Sequence, residues 1–107
     1  MKKYTKMTRM SITLDKIIDA VTAEFYTTRD AIYSRCRTQQ VTDARHTVIY
    51  LAIHYTIMSS GDIALELDRS LSSVSHAMTS IENRLETDQS FRLKMNRIYK
   101  RLKFKQQ

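Results

Sequence analysis

Four hydroxyls, Ser70, Ser72, Ser73 and Ser75, crowd into six residues of this 107-residue chain, directly after Asp68-Arg69. A serine at a helix start commonly caps it by accepting a hydrogen bond from a free backbone N–H. One serine suffices for that, and the others remain as short groups that both donate and accept. Such groups can meet a phosphate oxygen or the edges of several bases without steric conflict. Arg35, Arg37, Arg45 and Arg69 supply guanidinium groups, whose planar fork of donors matches phosphate oxygens. Nothing points to covalent chemistry. His46 and His54 lie eight residues apart, His76 lies farther on, and no nucleophile or orienting carboxylate accompanies them at motif spacing. The lone Cys36 has no partner for an internal disulfide, and no Cys/His cluster has zinc spacing. A protein without enzymatic activity, cofactor, metal or small-molecule substrate is expected, in a reducing compartment. Cys36 between two arginines reads as an ordinary exposed thiol, a lowered thiol pKa being the sharper alternative.

The positioning elements follow from what the chain lacks. It has no proline and one glycine, Gly61, which removes the usual punctuation of β-hairpins. The fold class is therefore all-α: a compact bundle of five to six helices containing a helix-turn-helix. Ser11 or Thr13 caps a first helix with Leu14, Ile17, Ile18, Val21 and Phe25 on its apolar stripe. Thr27-Thr28 opens a short second helix, from Arg29 to about Ser34. An aperiodic connector, 34–40, precedes a third helix from about Thr42 to Met58, so widely apolar that it should be the most buried. Ile63, Ala64 and Leu67 on one helix, and Leu71, Val74, Met78, Ile81 and Leu85 on the next, then face one core across a turn too short for anything else. That is a helix-turn-helix at about 60–86, whose second helix would enter a major groove with Ser70 to Ser75 at its tip. Leu71 is open to two readings, core closure of the turn or an apolar touch on a thymine methyl. His76 should make a structural hydrogen bond. A last helix carries Phe91, Met95, Ile98 and Leu102 at helical spacing. The domain is expected to run from 11 to 104, behind a basic flexible tail, 1–10, and before a frayed end.

The net charge of +7 is unevenly spread. Lys2, Lys3, Lys6 and Arg9 lie in the first ten residues, and seven basic residues lie in 89–107, with no acid in either segment. Between them the chain sums to −4. Basic ends around a neutral core suit arms that reach a polyanion backbone, solvated tails being the simpler reading. The last helix could pack on the domain, dimerise, or lie on an anionic membrane.

A basic connector, a buried helix, and a helix-turn-helix reading Asp68-Arg69-Ser70-Leu71-Ser72-Ser73-Val74-Ser75-His76-Ala77 together resemble the C-terminal DNA-binding domain of the bacterial replication initiator DnaA. The resemblance extends from about Ile12 to Lys103. The family's run is Gly-Gly-Arg-Asp-His-Thr-Thr-Val-x-His-Ala, one residue longer. By that resemblance Arg37 would enter the minor groove, Arg45 would lie beside phosphates, and Ser72-Ser73 would take the place of the Thr-Thr pair that meets phosphate and thymine methyls. The base-reading Asp-His pair is Ser70-Leu71 here, so the resemblance does not carry the initiator's own recognition sequence across. No Gly-x-x-x-x-Gly-Lys-Ser/Thr occurs, which removes ATP-driven assembly from this polypeptide and implies a stand-alone module. Packing on the domain is the favoured reading of the last helix, since the related domains also end in one.

Double-stranded DNA is thus the expected partner. The site residues would be Arg35, Arg37, Arg45, Arg69, Ser70, Ser72, Ser73 and Ser75, and the role a sequence-preferring regulator of transcription or replication. A cytoplasmic place is expected, in the bacterial cytoplasm or nucleoid or in an infected host cell, with no membrane involvement. The alternative is a helical protein-interaction module that has lost specific DNA binding and meets a host protein or a second copy of itself.

Overall fold

Each helix begins where a hydroxyl or carboxylate takes up a free backbone N–H. In the computed structural model, which describes residues 12–103, Thr13 caps α1 (Leu14–Phe25) and Thr28 caps α2 (Arg29–Tyr33). Thr38 caps α3 (Gln39–Tyr55), and Ser59 with Asp62 forms a reciprocal capping box on α4 (Ser60–Leu67). Ser70 caps α5 (Leu71–Thr87), and Asp88 both ends α5 and caps α6 (Gln89–Arg101). The basic tail 1–10, Ser11 as a cap and the end 104–107 lie outside the described residues.

All six helices share one core, and no strand occurs among the described residues. Helix α3 is its centre, with Ala44, Val48, Leu51 and Ala52 sealed from solvent between α1 and α5. Helix α4 lies against α3 and α5 through Ile63, Ala64 and Leu67. Helix α6 closes the bundle against α1 and α5 with Phe91, Met95 and Ile98, the Phe91 ring 6.4 Å from that of Phe25. The last helix thus packs on the domain. Among the described residues no helix is long and apolar enough to cross a membrane.

The steep exit of α5 is a backbone event. Asp68 adopts a left-handed conformation (φ 55°), one that aspartate tolerates better than most residues. The N–H of Arg69 then reaches back to the Ala64 carbonyl at 2.8 Å, closing α4 in one residue and leaving Ser70 to start α5.

Two boundaries differ from the sequence reading. Helix α3 starts three residues earlier than Thr42, because Thr38 caps a first turn whose Gln39 and Gln40 are exposed and so leave no apolar signal. It ends at Tyr55 rather than Met58, because the Thr56 hydroxyl donates to the Ala52 carbonyl and accepts from the N–H of Met58, turning the chain away.

Candidate nucleic-acid interface

The connector between α2 and α3 is built around Arg45. A helix of five residues leaves most of its last carbonyls without helical partners; Ser34 caps that of Ala31 through its N–H and hydroxyl, and the irregular chain that follows α2 absorbs few of the others. Arg45 is only 6% exposed and turns its guanidinium inward to meet them. Its Nε donates to the Ile32 carbonyl at 2.9 Å, Nη1 to Cys36 at 3.2 Å, and Nη2 to Ala31 and Ser34 at 3.0 and 2.9 Å. The expectation that Arg45 lies beside phosphates is therefore corrected. Its donors are taken up by backbone, and it holds the loop that carries its neighbours.

Those neighbours are Arg35, Arg37 and Arg69. Arg69, in the helix-turn-helix turn, donates from Nη2 to the same Ser34 carbonyl, while its Nε is buried with no partner among the described residues. Arg35 pairs with Asp68 at 2.9 Å, both side chains exposed, and so ties the connector to the turn. Arg37 is exposed and makes no salt bridge among the described residues. Burial depresses the Arg69 pKa, and the nearby charges of Arg35 and Arg37 depress it further. For Arg45 burial comes first again, followed by the charge of Arg69. Cations that repel one another around a single loop project a positive field into the adjoining solvent. Within the loop the Cys36 thiol lies below its ordinary range, held there chiefly by hydrogen bonds from Thr38 and less by Arg45.

The tip of α5 stands beside this loop. Ser70 Oγ accepts from the N–H of Ser73 at 3.0 Å and meets the Ser73 hydroxyl at the same distance, so Ser70 is the cap. Ser73 faces a cavity of about 90 Å³ walled by Arg45, His46, Ile49 and Arg69. Ser72 and Ser75 are exposed, and with Leu71, His76 and Thr79 they line a shallow groove along the outer side of the helix. Leu71 is 58% exposed and does not close the core at the turn, which Leu67 and Val74 do from either side. Arg35, Arg37, Arg69 and the four serines are thus gathered at one end of the molecule, with Arg45 behind them.

Sequence reading missed one pairing. His46 and His76, which look scattered along the chain, meet edge to face with ring centroids 5.7 Å apart, bridging α3 and α5. Burial, and then the neighbouring His76, push the His46 pKa down. His54 lies apart from them, against Tyr50 at 4.5 Å. No group of three His, Cys, Asp or Glu side chains is placed to hold a metal among the described residues. A signal for the groove was present. Leu71, Ser75 and Thr79, with Ser72 and His76, recur at steps of three and four opposite the buried Val74, Ala77 and Ile81.

A family model described as the bacterial DnaA protein helix-turn-helix matches residues 14–81, from the start of α1 into α5. The chain belongs to this DnaA family. It is 33% identical over 106 residues to the chromosomal replication initiator protein DnaA of Nautilia profundicola, covering 98% of the chain and 24% of that relative. The DnaA of Bacteroides thetaiotaomicron is 31% identical over 96 residues, 89% of the chain and 20% of the relative. That of Wolinella succinogenes is 31% identical over 104 residues, 96% and 24%. The chain therefore spans a fifth to a quarter of the length of these curated relatives. The arginine-rich loop and the α5 tip of the DnaA-type domain both lie within the family match.

Proposed function

We propose that this DnaA-type domain binds double-stranded DNA and acts as a sequence-preferring regulator of transcription or replication, without covalent chemistry of its own. One observation carries the reading: Arg35, Arg37 and Arg69 crowd beside an exposed, hydroxyl-bearing helix tip with a single carboxylate, Asp68, paired among them. Arg37, on the outer side of the loop, reaches the sugar–phosphate backbone and minor groove. Ser72, Ser73 and Ser75 approach phosphates and base edges in the major groove, and Arg45 positions the loop from behind. Phosphate contacts supply most of the affinity, and each good base contact adds roughly 1–3 kcal/mol of discrimination. These 107 residues hold one glycine and hence no phosphate-binding loop for ATP. The domain works in the cytoplasm or nucleoid, where DNA is.

The test is an unbiased selection of bound duplex sequences, followed by affinity measurements across a salt series. With three phosphate contacts the slope of log K against log salt should be about −3. A flat response, or no retention of duplex near physiological salt, overturns the proposal. The second reading, a protein-interaction module, draws on Ile57 and Leu65, which are large, apolar and more than 80% exposed on and beside α4. A stoichiometric protein partner in the absence of DNA binding would favour it.

A further inference from the structure

We infer that Leu71 reads the 5-methyl group of a thymine, so that this domain recognises its site through methyl contact where a polar pair would otherwise read base edges. The inference rests on the DNA-binding reading above. From Leu71 to Ile81 helix α5 carries no charged residue and neither asparagine nor glutamine. Those are the side chains that make bidentate pairs with guanine or adenine or accept from cytosine, so the N-terminal three turns of α5 have no means of that kind of readout, the first such groups being Glu82 and Asn83 farther along. Its groove offers three hydroxyls, one imidazole and, at its outer end, the isobutyl group of Leu71.

Leu71 is the first residue of the helix, the position that reaches farthest into a groove when a recognition helix docks by its N-terminus. It is 58% exposed at the edge of the face by which Val74, Ala77 and Ile81 close the core, and takes no part in that core. The side chains around it are short, so the helix can seat closely enough for a leucine to touch the groove floor. The thymine methyl is the apolar group that the major groove presents there. Charge decides between DNA and an apolar protein surface as the occupant. The same end of the molecule carries Arg35, Arg37 and Arg69, and among these Asp68 pairs with Arg35 alone. A partner must bring negative charge and a buried methyl together, and duplex DNA does both.

The experiment uses the full chain and a duplex from the selection, with each thymine replaced in turn by deoxyuridine, which lacks only the methyl. Affinity is read by fluorescence anisotropy at fixed salt. At one position, or two adjacent ones, loss of the methyl should weaken binding about three- to tenfold, the effect of one or two buried apolar carbons. Leu71→Ser should bind thymine and deoxyuridine alike there, and Leu71→Met, which keeps an apolar reach, should still discriminate. 5-Methylcytosine at that position should bind more tightly than cytosine. Because Leu71 lies outside the core, unchanged circular dichroism of both variants is expected. The inference is overturned if no thymine responds to demethylation, or if Leu71→Ser keeps the full response. Wild-type binding that is salt-dependent yet indifferent to every methyl would sink this inference alone, whereas failure to bind any duplex would sink the DNA-binding reading with it.

Discussion

The arginines on the two sides of this molecule live in opposite surroundings. On the α1–α6 side, among the described residues, all but Arg92 meet a carboxylate. Arg29 pairs with Asp15 and Asp19 at 3.0 and 2.8 Å, and Arg97 and Arg101 both reach the buried Glu24. Arg84 joins Asp43 and Asp88 while lying over the Phe91 ring at 4.6 Å, and the Lys94 ammonium sits 4.7 Å from the centre of Phe25. Around the connector, by contrast, Arg45 and Arg69 bond carbonyl oxygens, Arg37 has no salt bridge among the described residues, and Arg35 alone meets a carboxylate. The lesson concerns where positive charge is available. Counting along the chain puts a large basic excess in 89–107, yet Arg97, Arg101 and Lys94 there are engaged within the fold. Among the described residues the arginines without a carboxylate partner are Arg92 of α6, which bonds Leu85 and Gln89, and Arg37, Arg45 and Arg69 of the middle of the chain, where the sum is negative; only the last three are gathered around one loop.

If that contrast is right, the two groups should fail differently when cut. Arg45→Met should be the most damaging, costing about 3 kcal/mol, because the carbonyls of Ala31, Ile32, Ser34 and Cys36 lose a buried charged donor at once. A lowered urea midpoint at unchanged m-value, together with weakened DNA binding, is expected. A variant as stable as wild type would break the assignment of Arg45 to the loop.

Glu24→Gln comes next, at about 1–2 kcal/mol near neutral pH, since its arginine partners are half exposed and solvent screens part of the attraction. DNA affinity should not change. Burial alone would raise the Glu24 pKa, but hydrogen bonds from Arg97 and Arg101 outweigh it and hold the carboxyl below its ordinary 4.5. A folded pKa below the unfolded one means stability that is complete above about pH 4.5 and drains away as pH falls through the folded value. Glu24→Gln should remove that portion of the acid limb, and an identical acid profile in the two proteins would contradict it.

Ser70→Ala, which removes the cap of α5, should cost about 1 kcal/mol, while Ser72→Ala should leave stability within about 0.5 kcal/mol and shift the selected DNA sequence. Equal thermal shifts for the two would deny them separate jobs. Arg37→Ala has the smallest expected effect on folding, below about 0.5 kcal/mol, yet it should reduce the slope of log K against log salt by about 1. A cation of the matched side, such as Arg29, should show the reverse when replaced by alanine, a stability loss with no change in slope.

Much of the frame was readable along the chain because caps and apolar spacing are local. Thr13, Thr28 and Ser59-Asp62 announce their helices, and the facing stripes of α4 and α5 require a turn at Asp68-Arg69. The start of α3 was hidden since its first turn is solvated and Thr38 looks like any loop threonine. Leu71 was ambiguous because its spacing from Val74 and Met78 fits the buried stripe, yet as the first residue of α5 it is left 58% exposed by the fold. Arg45 looked like Arg35 and Arg37 in the sequence. Whether a guanidinium faces phosphate or backbone depends on where the carbonyls of the α2 end and the connector, 9 to 14 residues away, come to lie.

The sequence by itself determined the all-helical class, the order of the helices, the helix-turn-helix and the serine-rich start of its second helix, since each follows from spacing, capping and the scarcity of glycine and proline. Tertiary structure alone decided which cations are matched and which are not, brought His46 against His76, and set Leu71 outside the core. The physical reason is one of range: backbone and periodic signals act within a turn or two of helix, whereas desolvation and charge pairing depend on groups that only packing brings together.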